Sequence, residues 1–404
     1  MRMRMRIRIQ KKRMVYGMEE LVYVDRKNTN CNKWDGQTGM FGEEGLHAMW
    51  VADMDFRVPQ GVVDALKEYV EQGVFGYYKI PESYYEAFIK WEKEQHGFTV
   101  EKKWMRFSPG VVAAFHWFVQ ILSEPGDAVI VNTPVYYPFL HAVKNNNRKL
   151  ICSDLINEDG KYHIDYEDFE KKIVENQVKI FILCSPHNPA GRVWKKEELK
   201  TLFEICRKHQ VYVISDEIHH DLIFSEHPHV PSLSVGEYAD MMVAITAPSK
   251  TFNLAGGQNS IVIIPDDKLR KKWDTFVDGI RVRSGNPFGY IAAEAAYRTG
   301  ASWLESVKAQ IRENEAYVRE TFEKELPDVV VSPLEGTYLC WIDLDAYVPA
   351  EKVKEVVQKR CHLAVDFGDW FGGSRFGTFI RMNLATSPEN VKIGVDALVR
   401  ELKK

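Results

Sequence analysis

The chain lacks most of the short signatures that assign a protein quickly. Its six cysteines (Cys31, Cys152, Cys184, Cys206, Cys340 and Cys361) form no CxxC pair and show no histidine spacing suited to zinc. Several fall within apolar runs, so they read as reduced core residues of a cytosolic protein. No stretch approaches the roughly 18–20 apolar residues of a membrane span. Basic charge is not in excess: 53 Lys+Arg against 57 Asp+Glu gives a net charge of −4, which argues against a nucleic-acid binder. GxGxxG and GxxxxGK[ST] are both missing, so neither a Rossmann dinucleotide site nor a Walker loop is supported. There is no internal repeat and no low-complexity linker.

What is present is ordinary in bulk. The 404 residues suffice for one large domain and a smaller one, each with its own core. Hydrophobic content of 45% and charged content of 27% suit a soluble globular protein. The first residues, "MRMRMRIRIQKKRM", alternate arginine with apolar side chains and lack the apolar region of a signal peptide. A basic arm for nucleic acid or membrane is one reading. The plainer one, adopted here, is a disordered extension or a start placed too early, with Met14 or Met18 as the first residue. Residues 1–18 are therefore expected to lie outside the fold.

From residue 61 to about 295, helix and strand patterns alternate. "GVVDALKEYVEQG" carries a helical stripe at Val62, Leu66, Tyr69 and Val70, ended by Gly73. "VVAAFHWFVQIL" is apolar nearly all round, which predicts a buried helix. Short apolar runs recur in "DAVIVNTP", "KIFILCSP", "VYVISDE", "MMVAITAP" and "QNSIVIIP", with the amphipathic "EELKTLFEICRKH" between the second and third. Short runs apolar on both faces and separated by helices predict a mostly parallel sheet covered on both sides. After about residue 296 a long charged helix (302–326) precedes "VVVSPLEGTYLCWIDL", "EKVKEVVQKR", "FIRMNLA" and a last amphipathic helix, the pattern of a smaller α+β domain. Residues 19–60 are turn-rich and are expected to fold back onto it.

Ligands of open parallel sheets bind at the carboxyl ends of the strands. Here five strand ends or helix starts carry polar or aromatic groups beside Pro or Gly: "SPG", "TPVYYP", "SPHNPAG", "SDEIHHD" and "APSKTFN". Each has a bland explanation. "SPHNPAG" can be a turn that any α/β protein needs, although Asn188 offers both a donor and an acceptor between prolines. Asp216, Glu217, His219, His220 and Asp221 resemble metal ligands, but consecutive residues near a strand end alternate and cannot all converge. No metal is expected; Asp216 and His219 are expected to address one planar ring. Lys250 can be a solvated turn lysine. The apolar strand before it and the lack of charged neighbours argue for burial, which lowers a lysine pKa and makes an amine nucleophile. Gly110 followed by the free N–H groups of Val111 and Val112 makes a helix start suited to phosphate.

An imine-forming lysine, an aspartate, an asparagine, an aromatic ring and a phosphate cradle together suggest pyridoxal 5'-phosphate. The sequence resembles the fold-type I enzymes that use this cofactor, and among them the cystathionine β-lyase-like carbon–sulfur lyases (the MalY/PatB/cystalysin group). The resemblance runs over about residues 19–403. It rests on "DRKNTNCNKWDG", "MWVADMDF", "FGYY", "SPGVVAAF", "TPVYYPF", "CSPHNPAGRVW", "SDEIHHDL", "APSKTFNLAG", "EGTYLCWID" and "RMNLA" in that order. It implies the α/β PLP-dependent transferase fold, aspartate aminotransferase-like, with a mostly parallel mixed sheet in the large domain and a smaller α+β domain. The segments implied are an arm over 19–60 packing with the small domain, a large PLP-binding domain over 61–295 and a small C-terminal domain over 296–404.

The resemblance also implies roles. Lys250 would bind the cofactor covalently and act as the catalytic base. Asp216 would pair with the protonated pyridine nitrogen, which lets the ring accept electrons. Asn188 and His219 would hydrogen-bond the ring's phenolic oxygen, and Tyr136, counted with the catalytic residues, would stack on the ring. Gly110, Val111 and Val112 would hold the phosphate, with Ser249 as a hydroxyl partner. Arg381 would clamp the substrate α-carboxylate, and Tyr77 would reach the cofactor of a neighbouring subunit, so a cytoplasmic homodimer is implied. The reaction implied is β-elimination from cystathionine or another cysteine S-conjugate. Gln258 stands where aminotransferase relatives carry a phosphate-binding arginine, and Ala247 where some relatives have serine. Two alternatives stay open: an aminotransferase, and a PLP-binding regulatory protein acting through a partner, to which the basic first residues alone point.

Overall fold

The computed structural model describes residues 19–404; the expected N-terminal extension over residues 1–18 lies outside them. Seven strands form the main sheet: β1 (Met105–Ser108), β2 (Ala128–Thr133), β3 (Lys149–Asp154), β4 (Ile180–Cys184), β5 (Tyr212–Asp216), β6 (Met242–Thr246) and β7 (Ser260–Ile263). Their order is β1-β7-β6-β5-β4-β2-β3, and β7 alone runs antiparallel to its neighbours. The five apolar runs read from the sequence become β2, β4, β5, β6 and β7, buried throughout except for Tyr212 at the start of β5. Two strands were missed. β3 sits at the sheet edge and is half exposed, so its sequence, KLICSD, carries charge at both ends and no continuous apolar run. β1, MRFS, is four residues long with a mixed burial pattern.

Helices cover the sheet. In chain order they include α1 (Gln60–Glu71), α2 (Glu82–His96), α3 (Val111–Leu122), α4 (Tyr137–Asn145), α5 (Tyr166–Asn176), α6 (Lys196–Lys208), the short α7 (Pro248–Thr251), α8 (Asp267–Ile280) and α9 (Pro287–Thr299). The stripe of α1 stops where expected, because Gly73 takes φ +69°, a left-handed conformation open to glycine. α3 is buried through Val111, Ala114, Phe115, Phe118 and Val119, as its all-round apolar sequence requires. α6 starts with the Glu198 carboxylate accepting from the Lys195 backbone N–H at 2.7 Å, which satisfies a donor that the helix leaves free.

A long helix, α10 (Ala301–Glu325), leads to a second sheet. That sheet is antiparallel throughout and ordered β8-β9-β11-β10, from β8 (Val330–Val331), β9 (Leu339–Asp343), β10 (Asp366–Phe367) and β11 (Phe379–Asn383). α11 (Ala350–Lys354) continues into a π-helical turn over Glu355–Arg360, and α12 (Pro388–Leu402) closes the chain. α10 passes between two cores. Trp303, Leu304, Val307 and Ile311 pack with α2 and α9, while Val318 and Phe322 pack beneath the second sheet. The arm joins that second core through Trp34, Phe41, Met49 and Trp50, and His47–Ala48 pairs with Leu363–Ala364. Among the described residues, no helix is long and apolar enough to cross a membrane.

Candidate active site

The carboxyl ends of β4, β5 and β6 open into one cleft. The strands place its polar groups. β4 ends at Cys184, which lies directly beside Asp216 in the β4–β5 register. The loop after β4 brings Asn188, β5 brings Asp216 and then His219, and the turn after β6 brings Ser249 and Lys250 on α7. The opposite wall is the start of α3, with Gly110, Val111 and Val112, and Tyr136 closes one side. Nine of the eleven residues expected at the site therefore line one cleft (Gly110, Val111, Val112, Tyr136, Asn188, Asp216, His219, Ser249 and Lys250).

The other two stand apart. Arg381, on β11, is buried behind the cleft wall and reaches it through Asn188, whose Oδ1 accepts from Arg381 Nη1 at 2.9 Å. Tyr77 is fully exposed and touches nothing in the cleft of its own chain. The sequence reading missed Ala52, Cys184, Ile218 and Asn259, which also line the cleft. Cys184 had a visible signal, since it is the last residue of an apolar strand. Ala52 comes from the arm, and no local pattern marks it.

Burial sets the electrostatics. The Lys250 amine is pulled down to about 8, chiefly by burial and by the nearby Arg381 charge, while Asp53 and Asp216 oppose the change. Lys250 Nζ donates to the Ala52 carbonyl at 2.6 Å. Asp216 is pushed up to about 7 by burial, offset in part by the Ile218 N–H that donates to its Oδ1 at 3.1 Å. His219 is held well below its ordinary range, first by burial and then by the Lys250 and Arg381 charges, so it is neutral, and its Nδ1 is buried without a partner.

These features fit pyridoxal phosphate. A buried carboxylate short of positive charge suits a pyridinium N–H. A cation held there would favour the ionised form of Asp216 and oppose the effect of burial. The first N–H groups of α3 have no partner within the helix and face the cleft, and a Cβ added at Gly110 would meet no protein atom within 4 Å.

The expected alternation along "SDEIHHD" stops at Asp216, where β5 ends and a turn begins. The turn sends His219 to the cleft and gathers Glu217, His220 and Asp221 behind the sheet with Glu92, His96 and His229. Asp221 accepts from Trp91 Nε1 at 3.0 Å and Thr251 Oγ1 at 2.7 Å, and its Oδ1 lies 2.8 Å from His96 Nε2. Burial alone would raise Asp221, but His220 and His96 outweigh it and hold the carboxyl far down. Burial would likewise lower His220, yet Asp221 and Glu92 push it up to about 10. Glu92, His96 and His220 bring ligand atoms within 4.8 Å of one another. Ser215 and Ser232 donate to Glu217, Thr246 Oγ1 lies 2.8 Å from His220 Nδ1, and Thr251, the residue after Lys250, ties the cluster to the cleft through Asp221.

The chain matches the family model described as aminotransferase class I and II over residues 51–398. It is 39% identical over 373 residues to cystathionine β-lyase PatB of Bacillus subtilis, covering 92% of this chain and 96% of the relative. Its fold superposes on cystalysin from Treponema denticola, which contains pyridoxal 5'-phosphate, with a TM-score of 0.90, 36% identity and coverage of 96% and 99% of the two chains. A PLP-bound C–S lyase from Staphylococcus hominis gives 0.89, 34% identity and coverage of 97% and 99%. The matched span, the seven-stranded sheet and the cleft at its carboxyl edge lead to one assignment: this chain belongs to the aminotransferase class I and II family.

Proposed function

We propose that the chain is a pyridoxal 5'-phosphate-dependent carbon–sulfur β-lyase, which cleaves the Cβ–S bond of cystathionine or another cysteine S-conjugate to give a thiol and aminoacrylate, the latter hydrolysing with one water to pyruvate and ammonia. The observation that carries this reading is the convergence of the Lys250 amine, the Asp216 carboxyl and the start of α3 on one cleft, in a chain 39% identical to a cystathionine β-lyase. The bound cofactor supplies an electron-accepting ring that weakens the bonds at the substrate Cα. The protein's own residues do the rest. Lys250 Nζ, lowered to about 8, holds the cofactor, then takes the Cα proton and delivers it to the leaving sulfur. Asp216 keeps positive charge on the ring nitrogen. Asn188 and His219 orient the ring's phenolic oxygen, Tyr136 packs against its face, and Gly110, Val111, Val112 and Ser249 hold the phosphate. Arg381 would fix the substrate carboxylate and so orient the substrate for removal of its Cα proton by Lys250.

The active unit proposed is a homodimer. Val70, Val74, Phe75 and Tyr77 expose large apolar surface, with Phe75 packed on Phe288 at 5.5 Å between ring centroids, and this supports a partner surface that brings Tyr77 to the neighbouring cleft. Transamination is the competing reading, since the matched family includes aminotransferases. Gln258, which lines the cleft with φ +46°, supports elimination, because aminotransferase relatives carry a phosphate-binding arginine there. The regulatory alternative rested on residues 1–18, outside the described residues. Incubation with L-cystathionine, with pyruvate and free thiol assayed together, tests the proposal. Absence of both products from the cofactor-loaded enzyme would refute it.

A further inference from the structure

Arg381 is not waiting free for a ligand. It is 2% exposed, and β10 pairs with β11 so that Asp366 lies directly opposite it. Asp366 Oδ2 forms a close ion pair with Arg381 Nη2, which also donates to the Trp50 carbonyl at 3.3 Å, while Nη1 serves Asn188. Two atoms of this pair are left over. Arg381 Nε and Asp366 Oδ1 are both buried without a partner.

We propose that Asp366 is an internal stand-in for the substrate α-carboxylate: it holds Arg381 between turnovers and yields it, taking up one proton from solvent, when the substrate carboxylate arrives. This rests on Arg381 being the carboxylate clamp. The reason is charge. One guanidinium neutralises one carboxylate, and a second carboxylate in the same dry site leaves an uncompensated negative charge. Protonation of Asp366 removes that charge, and its orphaned oxygen becomes an O–H donor for the incoming carboxylate. The other titratable groups that face Asp366 are the hydroxyls of Tyr136 and Tyr137 at the start of α4, both neutral near pH 7. Burial has already brought Asp366 up to about 6 against the opposing pull of Arg381, so proton uptake near neutrality is accessible.

Asp366 is thus a positioning and selectivity residue, and its signature is a proton count. The probe is 3-(methylthio)propanoate, a thioether carboxylate with no amine to react, titrated into the holoenzyme by calorimetry at pH 8 in two buffers of different ionisation heat. The wild type should take up about one proton per ligand bound, with affinity falling roughly tenfold per pH unit above the Asp366 pKa. Asp366→Asn should take up none and bind more tightly at pH 8, while Asp366→Glu should restore the uptake. Equal uptake in the wild type and Asp366→Asn, or none in the wild type, overturns the proposal. The wild-type count decides alone if the asparagine variant fails to hold its cofactor, read from its visible absorbance. Arg381→Lys separates the two readings. Weaker probe binding there with an unchanged Asp366→Asn leaves the clamp standing and removes Asp366; wild-type binding in Arg381→Lys removes both.

Discussion

The Lys250 amine rests on the carbonyl oxygen of Ala52, 2.6 Å away and 198 positions earlier in the chain. The Tyr338 hydroxyl donates to the same oxygen at 2.7 Å. One backbone carbonyl of the arm thus receives a group from α7 and another from the residue just before β9. The contact fixes the amine at the cleft wall and depends on the arm being folded in place.

The first prediction concerns that amine. Borohydride reduction of the holoenzyme, followed by peptide mapping, should place the cofactor on the peptide containing Lys250. Lys250→Ala should lose activity by about 10³-fold or more, the scale for removing a catalytic base that is also the covalent anchor. Label on another lysine would reject the assignment.

The second concerns Asp216. Asp216→Asn should keep the fold and lower turnover by about 10²-fold or more, since an amide cannot hold charge on the ring nitrogen. There is a stability signature as well. The folded carboxyl is raised to about 7 from 3.8, so between those values the native apoprotein binds more protons than the unfolded chain. The Asp216 contribution to the stability of the cofactor-free protein should therefore fall as pH rises from about 4 to 7, so the wild type should lose stability relative to Asp216→Asn over that range. Calorimetric unfolding across this range checks the sign; a wild-type slope identical to the variant's would count against it.

The polar cluster behind the sheet should be structural. Asp221→Ala leaves His96, Trp91 and Thr251 without their shared acceptor and takes a neighbouring carboxylate from His220. Removing one member of such a buried charged set costs about 3–5 kcal/mol. A large drop in thermal midpoint is expected, together with weaker cofactor retention, because Thr251 adjoins Lys250. An unchanged midpoint would mean that the cluster relaxes without cost.

Tyr77 tests the dimer. Mixing Tyr77→Phe with Lys250→Ala subunits should recover some activity, since one hybrid cleft receives both native residues. Confirmed subunit exchange without recovery would show that each chain completes its own cleft.

Reaction choice is the fifth prediction. With L-cystathionine, many pyruvates should form for each cofactor converted to pyridoxamine phosphate. Stoichiometric conversion, rescued by an added keto acid, would make the chain an aminotransferase. A thiolate leaves readily from Cβ, so a sulfur substrate favours elimination.

Local pattern determined a definite part of this protein. The runs IFILC, YVISD and MVAIT are apolar on both faces, and such runs are stable only as covered strands, so the core of the sheet was legible in one dimension. Lys250, Asp216 and Asn188 were legible for the same reason: a polar residue just past a buried strand must lie at its carboxyl end. Tertiary structure alone decided the pairings between distant polar groups. Asn188 and Arg381 are 193 positions apart, and Asp366 meets Arg381 only through the register of β10 on β11. The gathering of Glu92, His96, His220 and His229 likewise depends on how α2 packs against the turn after β5, which no local pattern records. Edge strand β3 escaped because half its face meets water, and burial is what writes periodicity into a sequence. Hydrophobic period reports which face is covered; it carries no information about which charged side chain waits on the element that covers it.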